Sequence, residues 1–290
     1  MAFESDRAMD SESLKLLEDG LRKTMLSASG AELDAALDDL GWADMLSDMS
    51  DVAVPLVFRL LGETGSHASV LNDVVLQNAD RELAGTPPLP YAGGGWVVWD
   101  RGSASAATGD DGSASEATGD GGAGTDSALG GLPLRRVDEG EQFRLGEARR
   151  AVSWWLVGSA RAMLALARQH ALDRAQFGKP IASFQAVRHR LAETLVAIEG
   201  AEATLSLPGV DNPDLTALLA KAAAGRAALT AAKHCQQVLG GIGFTAEHDL
   251  HHHVERALVL DGLLGSSREL TRKAGAGLRA RGSVPRLAQL

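Results

Sequence analysis

From residue 146 to residue 290, apolar side chains recur at helical spacing with only short interruptions, and this pattern constrains the fold more than any other feature. Residues 147–172 are predicted to form one helix, about 39 Å long at 1.5 Å per residue. One side of this helix carries the side chains that are predicted to be buried: Val152, Trp155, Leu156, Ser159, Met163, Leu166 and His170.

Three more helices follow in the same pattern. The second is predicted to begin at about residue 184, the third covers about 214–239 and ends at a double glycine, and the fourth begins at about 254. The second helix is predicted to bury Val187, Leu191, Leu195 and Ile198. Four helices with short connections predict an antiparallel four-helix bundle over residues 146–290.

Residues 1–80 are also predicted to be helical, whereas residues 81–145 are not. Leucines recur at helical spacing near the start of the chain, at Leu14, Leu17 and Leu21. Prolines between 87 and 90 then stop helix formation, and short strands are predicted at 95–100 and 132–137. The chain is therefore predicted to be mainly α-helical, with an N-terminal helical domain, a small β middle region and a C-terminal bundle.

A low-complexity insert separates the two predicted strands. Residues 102–111 are followed directly by an imperfect copy of themselves at 112–121, and no large apolar side chain occurs before Leu129. Because burial cannot offset the entropy of ordering such a segment, residues 102–131 are predicted to form a disordered surface loop inside the β region.

Charge and composition exclude several partners. The net charge is −10, which argues against nucleic acid because phosphate binding needs clustered Lys and Arg. No apolar run reaches the ~20 residues needed to span a bilayer, and the N-terminal residues lack the layout of a secretory signal. Cys235 is the single cysteine, so no disulfide can form within the chain. We therefore expect a cytoplasmic protein with no membrane partner.

The first candidate site lies in the turn between the first two bundle helices. The residues Asp-Arg-Ala-Gln-Phe-Gly-Lys-Pro run from 173 to 180, and Ser183 is the predicted N-cap of the next helix. Arg174 and Gln176 could direct a guanidinium and an amide at a phosphate or ribose outside the bundle. By itself, however, an arginine at a helix end is also explained by the helix dipole.

The second candidate site ends the third bundle helix. Gln237 is followed one helical turn later by Gly240, Gly241 and a third glycine at 243. Glycines allow a backbone to approach another group closely or to adopt positive φ. Helix termination alone would also explain them.

Together, the two segments resemble the acyl-CoA dehydrogenase family. Its C-terminal bundle reads Arg-x-x-Phe-Gly-x-x-Ile-x-x-Phe-Gln and then Gln-x-x-Gly-Gly-x-Gly-Phe/Tyr-Thr. Both motifs are present in order, from Arg174 to Gln185 and from Gln237 to Thr245, and Arg256-Ala257 matches the family's next element.

The resemblance implies the fold and the cofactor. It implies an N-terminal helical domain over 1–80, a β middle region over 81–145 and a four-helix bundle over 146–290, with FAD shared between the bundle and a partner subunit. Arg174, Gln176 and Phe177 would contact the pyrophosphate and flavin side of the FAD, and Gln237, Gly240 and Gly241 would contact its ADP part. The β middle region is truncated, because the family's flavin-contacting Thr/Ser signature and its Gly-Ser-Asp loop are absent between 60 and 145.

The family reaction is α,β-desaturation of an acyl-CoA, in which a glutamate removes the α-proton. At one family position for this base the chain has Leu264, and at the other, 26 residues before Arg174, it has Ala148. Glu147 is adjacent to the second position and is the weak candidate for the base. A shift of one residue rotates a side chain by about 100° on a helix, so Glu147 is expected to be structural.

Other polar clusters have simpler interpretations. His251, His252 and His253 point to different faces if they lie on a helix, and no cysteine or carboxylate pair completes a metal site, so none is predicted. His234 and Cys235 diverge for the same reason, which favours a buried cysteine rather than a nucleophile.

Two functions follow. The first is a subunit of an FAD-dependent acyl-CoA dehydrogenase, inactive alone, that joins a full-length subunit in an α2β2 heterotetramer. That partner would supply the catalytic glutamate. Some actinobacterial members of the family pair short and full subunits in this way, and these include members that act on steroid side-chain CoA thioesters. The expected substrate is therefore an acyl-CoA such as a steroid side-chain CoA. The second is a flavin-free structural or regulatory homologue.

Overall fold

The computed structural model describes residues 11–83, 85–101, 129–206 and 213–283. Residues 102–128 of the predicted insert lie outside this range. The end of the predicted insert is described: Leu129 forms a β-bridge with Leu132 and packs against the apolar core. The predicted loop therefore extends too far at its C-terminal end, because Leu129 supplies an apolar side chain that packs against the core.

Between residues 11 and 83, the structure contains five helices. They are α1 (Ser11–Ser27), α2 (Ala31–Asp39), α3 (Trp42–Asp48), α4 (Ser50–Thr64) and α5 (Val70–Gln77). The predicted leucine stripe of α1 is buried at Leu21, with Leu14 and Leu17 packed partly against the core. Pro55 is the sixth residue of α4 and does not end the helix, although proline cannot donate a backbone hydrogen bond there.

A small antiparallel sheet follows, with the strand order β1, β2, β3. Its strands are β1 (Pro88–Tyr91), β2 (Gly95–Trp99) and β3 (Leu134–Val137). Strands β2 and β3 confirm the sequence prediction, whereas β1 was missed because it contains two prolines. Proline is tolerated at a sheet edge, where its missing N–H removes no ladder bond, and β1 is an edge strand of this sheet.

The C-terminal part contains the predicted antiparallel helices. They are α6 (Gly146–Asp173), α7 (Gln185–Leu205), α8 (Pro213–Leu239) and α9 (Leu250–Gly262), and a further helix, α10 (Ser267–Arg281), packs on α8. Helix α10 was not predicted, although Ser266 and Glu269 form a capping box that marks its start in the sequence.

Two details of the predicted second helix are wrong. Phe184, not Ser183, is the N-cap of α7, and the Ser183 hydroxyl donates instead to the carbonyl oxygen of Pro180 at 2.7 Å. Leu195 is 42% exposed rather than buried. The leucine faces outward because neighbouring elements cover only a narrow stripe of α7, which includes Thr194 and Ile198.

A close crossing joins the bundle to the N-terminal helices. If Gly62 of α4 carried a Cβ atom, this atom would lie 2.3 Å from the backbone oxygen of Trp155. A Cβ atom on Gly158 of α6 would lie 2.1 Å from the backbone oxygen of Arg59. Only glycine permits this approach. The Trp155 ring lies 5.5 Å from the ring of Trp99 on β2, so α4, α6 and the sheet share one core. Within the described part of the chain, every helix is too short or too polar to cross a bilayer.

Candidate functional site

Both motif segments lie at the same end of the bundle, which we call the open end and define as residues 174–184 together with residues 237–245. Helices α6 and α8 are each followed by a helix that runs back antiparallel, so their C-termini meet at one end. The pKa of a histidine near the end of α6 agrees with this placement. Burial lowers the pKa of His170 near the end of α6, and the nearby charge of His248, just beyond the second segment, lowers it further.

The first segment folds as a two-residue β-hairpin. Strands β4 (Ala175–Gln176) and β5 (Lys179–Pro180) pair antiparallel. The turn residues Phe177 and Gly178 have positive φ of 54° and 78°, as a type I′ turn requires. A left-handed phenylalanine is uncommon, and here the turn places the ring 91% exposed to solvent.

The polar side chains that were predicted for the first segment face solvent. Arg174 and Gln176 are exposed, and within the described residues Arg174 forms no ion pair. The Phe177 ring stands edge-on to the Phe184 ring at 6.2 Å between centroids. The hairpin therefore presents a cation, an amide and an aromatic ring to a molecule outside the bundle.

The second segment is a short 3₁₀ turn over Gly240–Phe244. Gly240 has a φ of 67°, and a Cβ on Gly240 or Gly241 would meet open space. Glycine at 240 is therefore required by its backbone conformation and leaves a clear path to the main chain. Gln237 is exposed, and so are Ile242 and Phe244, at 42% and 66%.

The chemistry of the open end fits an anionic, aromatic dinucleotide such as FAD. Arg174 can pair with a phosphate, exposed rings can contact a flat heterocycle, and the glycine turn admits close approach of a nucleotide. These groups line a surface and not an enclosed cavity, so a second surface is needed to bury such a ligand.

The two positions at which the family places its base lie at the other end of α6. Leu264 and Ala148 are both fully buried, with 0% exposure. The Leu264 N–H donates to the carbonyl oxygen of Pro90 at 2.8 Å, and Leu263 forms a β-bridge with Tyr91. Strand β1 thus covers the turn in which the family carries its base. We call this end of α6 the closed end and define it as strand β1 together with residues 148–149 and 261–265.

A half-buried arginine and a buried lysine both donate hydrogen bonds to carbonyl oxygens of that turn. Arg149 donates from Nε to the carbonyl oxygen of Leu264 at 3.2 Å. Lys221, which is fully buried, donates from Nζ to the carbonyl oxygens of Asp261 at 3.1 Å and Gly265 at 3.5 Å. Burial lowers the pKa of Lys221 to about 8. Sequence reasoning missed both residues, because a contact with a backbone carbonyl leaves no signature in the sequence.

Glu147 lies outside the closed end. It is exposed and borders a cleft of about 270 Å³ together with Asp51, Arg150 and Trp154. On a helix, Arg149 lies about 200° around from Glu147. Because Arg149 contacts Leu264, the carboxylate of Glu147 points away from the turn.

The other polar clusters do not form a site in the described residues. No three His, Cys, Asp or Glu side chains there could hold a metal ion. Cys235 is buried, and burial raises the pKa of its thiol to about 12, so it does not form a thiolate at neutral pH. Arg256 donates from Nη1 to the carbonyl oxygens of Gly65 and Ser66, so the Arg-Ala element anchors the loop between α4 and α5.

Comparison with known proteins finds a family model that is similar to the C-terminal part of the chain. Residues 141–277 match the profile of the family described as "Acyl-CoA dehydrogenase, C-terminal domain". Residues 141–277 are therefore similar to the C-terminal domain of acyl-CoA dehydrogenases. This result confirms the resemblance that the two motifs indicated, and the matched residues include both of them.

Curated acyl-CoA dehydrogenases from Mycobacterium tuberculosis are also similar to this chain. Acyl-CoA dehydrogenase IpdE2 is 40% identical over 117 residues, which cover 40% of this chain and 37% of the relative. Acyl-CoA dehydrogenase FadE34 is 42% identical over 135 residues, which cover 43% of this chain and 19% of the relative. The chain therefore matches well under half the length of either relative.

Solved structures extend the likeness to the whole fold. A variant of the Tcur3481–Tcur3483 steroid acyl-CoA dehydrogenase matches with a TM-score of 0.62 at 18% identity, covering 93% of this chain and 98% of that chain. The ChsE4–ChsE5 complex from Mycobacterium tuberculosis matches with a TM-score of 0.57 at 19% identity, covering 98% and 91%. The mainly α, acyl-CoA dehydrogenase-like fold is thus confirmed.

Proposed function

We propose that this chain is a subunit of an FAD-dependent acyl-CoA dehydrogenase and shares its FAD with a full-length partner subunit. In this proposal the chain contributes the open end to the cofactor site and provides part of the oligomer scaffold. The partner supplies the catalytic glutamate and the rest of the flavin and acyl-CoA sites. The assembly is an α2β2 heterotetramer in the cytoplasm.

The observation that carries the proposal is the contrast between an exposed cofactor motif and a buried base position. Arg174, Gln176, Phe177 and Gln237 are exposed, and the backbone at Gly240 and Gly241 is open to approach. Apolar and aromatic side chains as exposed as Phe177 and Phe244 are typical of a surface that is covered in an assembly. We infer that a partner and its FAD cover this surface.

The closed end supports the assignment of catalysis to the partner. A general base must reach the proton that it removes, yet both family positions carry apolar, fully buried residues, Leu264 and Ala148. Glu147 faces the cleft beside Arg150 rather than the turn. None of these three residues offers a carboxylate to a substrate at the family position.

In this proposal, this chain binds the cofactor and the partner removes the proton. FAD, when bound, accepts the hydride that leaves the β-carbon of the acyl group. The residues of this chain bind and orient that cofactor: Arg174 neutralises phosphate charge, Gln176 and Gln237 donate or accept hydrogen bonds, and Phe177 restricts water beside the ring system. The proton from the α-carbon goes to the partner's carboxylate.

The substrate class is proposed from the relatives and from the fold. Related structures include a steroid acyl-CoA dehydrogenase and a two-component complex, ChsE4–ChsE5. We propose that the complex formed by this chain desaturates an acyl-CoA thioester and that steroid side-chain CoA thioesters are the first substrates to assay.

Co-expression with full-length acyl-CoA dehydrogenases tests the proposal. We expect the chain alone to be flavin-free and its complex with the right partner to be yellow, heterotetrameric and active on an acyl-CoA. Stoichiometric FAD and turnover by the isolated chain would overturn it. A stable but colourless and inactive complex would favour the flavin-free structural or regulatory homologue.

A further inference from the structure

The hairpin at the open end places a third polar side chain beside Arg174 and Gln176. Lys179 pairs directly with Gln176 across the hairpin. Residues that are paired across antiparallel strands project from the same face, and so do alternate residues along one strand. Arg174 precedes Gln176 by two extended residues. Arg174, Gln176 and Lys179 therefore share one face of the hairpin.

The position of the lysine ammonium is defined by an aromatic ring. Lys179 Nζ lies 4.6 Å from the centroid of the Phe184 ring, and the same ring stands edge-on to Phe177. Lys179 is exposed and forms no ion pair with any described carboxylate. The ammonium is thus held in place by a ring while its charge remains unneutralised.

The ammonium is expected to leave the Phe184 ring and bind an anion that comes within reach, for an energetic reason. A cation–π contact at an exposed site contributes only about 0.5–1 kcal/mol, whereas hydrogen bonds to an ionised acceptor are roughly twice as strong as neutral ones. A phosphate oxygen that reaches the hairpin face would therefore compete well with the Phe184 ring.

We propose that Lys179 is a further cofactor-binding residue and supplies, beside Arg174, the second positive charge for the pyrophosphate of FAD. This inference rests on the proposed function, because it places FAD at the open end. A pyrophosphate carries charge on both phosphates, and two cations on one rigid hairpin face match it better than Arg174 alone. Phe184 is a positioning residue that keeps the ammonium on that face before the cofactor binds.

A charge-specific pair of variants tests the inference in the complex with the full-length partner. The complex is stripped of flavin and titrated with FAD at several salt concentrations. Lys179→Met keeps the length of the side chain and removes the charge, whereas Lys179→Arg keeps the charge. Lys273→Met serves as the control, because Lys273 is exposed on α10, which packs against the start of α8 away from the open end.

We expect Lys179→Met to weaken FAD binding about three- to tenfold and to flatten its salt dependence. Lys179→Arg and Lys273→Met should bind within about twofold of the unaltered complex. Unchanged FAD affinity in Lys179→Met would overturn the inference, and so would an equal loss in Lys179→Arg. If Arg174→Ala weakens binding while Lys179→Met does not, only this inference fails; if neither does, the proposed function fails with it.

Discussion

The two ends of helix α6 differ in almost every physical property. At its C-terminal end, the open end exposes Phe177 by 91% and leaves Arg174 without an ion pair among the described residues. At its N-terminal end, Leu264 and Ala148 are completely buried, and strand β1 covers the turn. At the closed end, the N–H and the carbonyl oxygen of Leu264 both have hydrogen-bond partners within the chain.

This difference shows how the shortened β region relates to the site. The remaining sheet packs strand β1 on the turn at 263–265, where Pro90 accepts a hydrogen bond from Leu264. Contacts of this kind within the chain stabilise the turn and cover Leu264. At the open end, Arg174, Gln176, Phe177 and Gln237 are exposed in the part of the chain that the structure describes.

The largest expected effect is a contrast in stability between the two ends. Leu264→Ala removes a fully buried side chain and should cost about 2–5 kcal/mol, or roughly 5–15 °C in Tm. Phe177→Ala removes a ring that is 91% exposed and should cost less than about 1 kcal/mol. Thermal unfolding of the two variants checks this. Similar losses for both would show that the two ends do not differ as described.

A pH titration sharpens the account of the closed end through Lys221. Burial lowers the pKa of Lys221 from 10.5 to about 8 in the folded chain. Between these values the unfolded chain binds more protons, so this group raises the free energy of unfolding as pH rises, by about 1.4 kcal/mol per pH unit at most. Chemical unfolding from pH 8 to 9.5 should show this rise in the unaltered chain relative to Lys221→Met.

Below pH 8 the difference in unfolding free energy between the two proteins should be constant with pH, because Lys221 is protonated in both states. A difference that is also constant from pH 8 to 9.5 would show that Lys221 keeps its ordinary pKa. The charge of the buried ammonium would then be stabilised by more than its two hydrogen bonds to carbonyl oxygens.

Variants at the open end should change the FAD content of the complex. In the complex, Arg174→Ala should lower FAD affinity about tenfold and Gln237→Ala about threefold, since a charge-assisted contact is roughly twice as strong as a neutral hydrogen bond. Absorbance at the flavin band, measured against protein, gives the occupancy. Full occupancy in both variants would remove this chain from the cofactor site.

Much of the fold could be predicted because the helical period extends over long segments. The bounds of α6 and the two later strands agree with the pattern to within a few residues. Strand β1 was missed because local propensity disfavours proline in sheets, although an edge position tolerates it. Leu195 was misplaced because spacing gives the apolar face of a helix but not whether a neighbour covers it.

For the site, the motifs indicated which residues would contact FAD, but the sequence could not show their exposure. Exposure at Phe177 depends on the left-handed turn, and burial at Leu264 depends on contact with a strand that lies far away in the chain. Lys221 and Arg149 contact backbone carbonyls, which leave no signature in the sequence. Long-range contacts of this kind decide which end is closed.

The central claim is that this chain contributes to cofactor binding and not to proton removal, and Glu147 tests it most directly. Removal of a general base typically costs about 10²- to 10⁴-fold in rate. We predict that Glu147→Gln leaves acyl-CoA turnover of the assembled complex within about threefold of normal, with FAD content unchanged, because removing a helix-start carboxylate perturbs only the helix dipole. A loss of about a hundredfold or more with FAD still bound would contradict the account and make Glu147 the base.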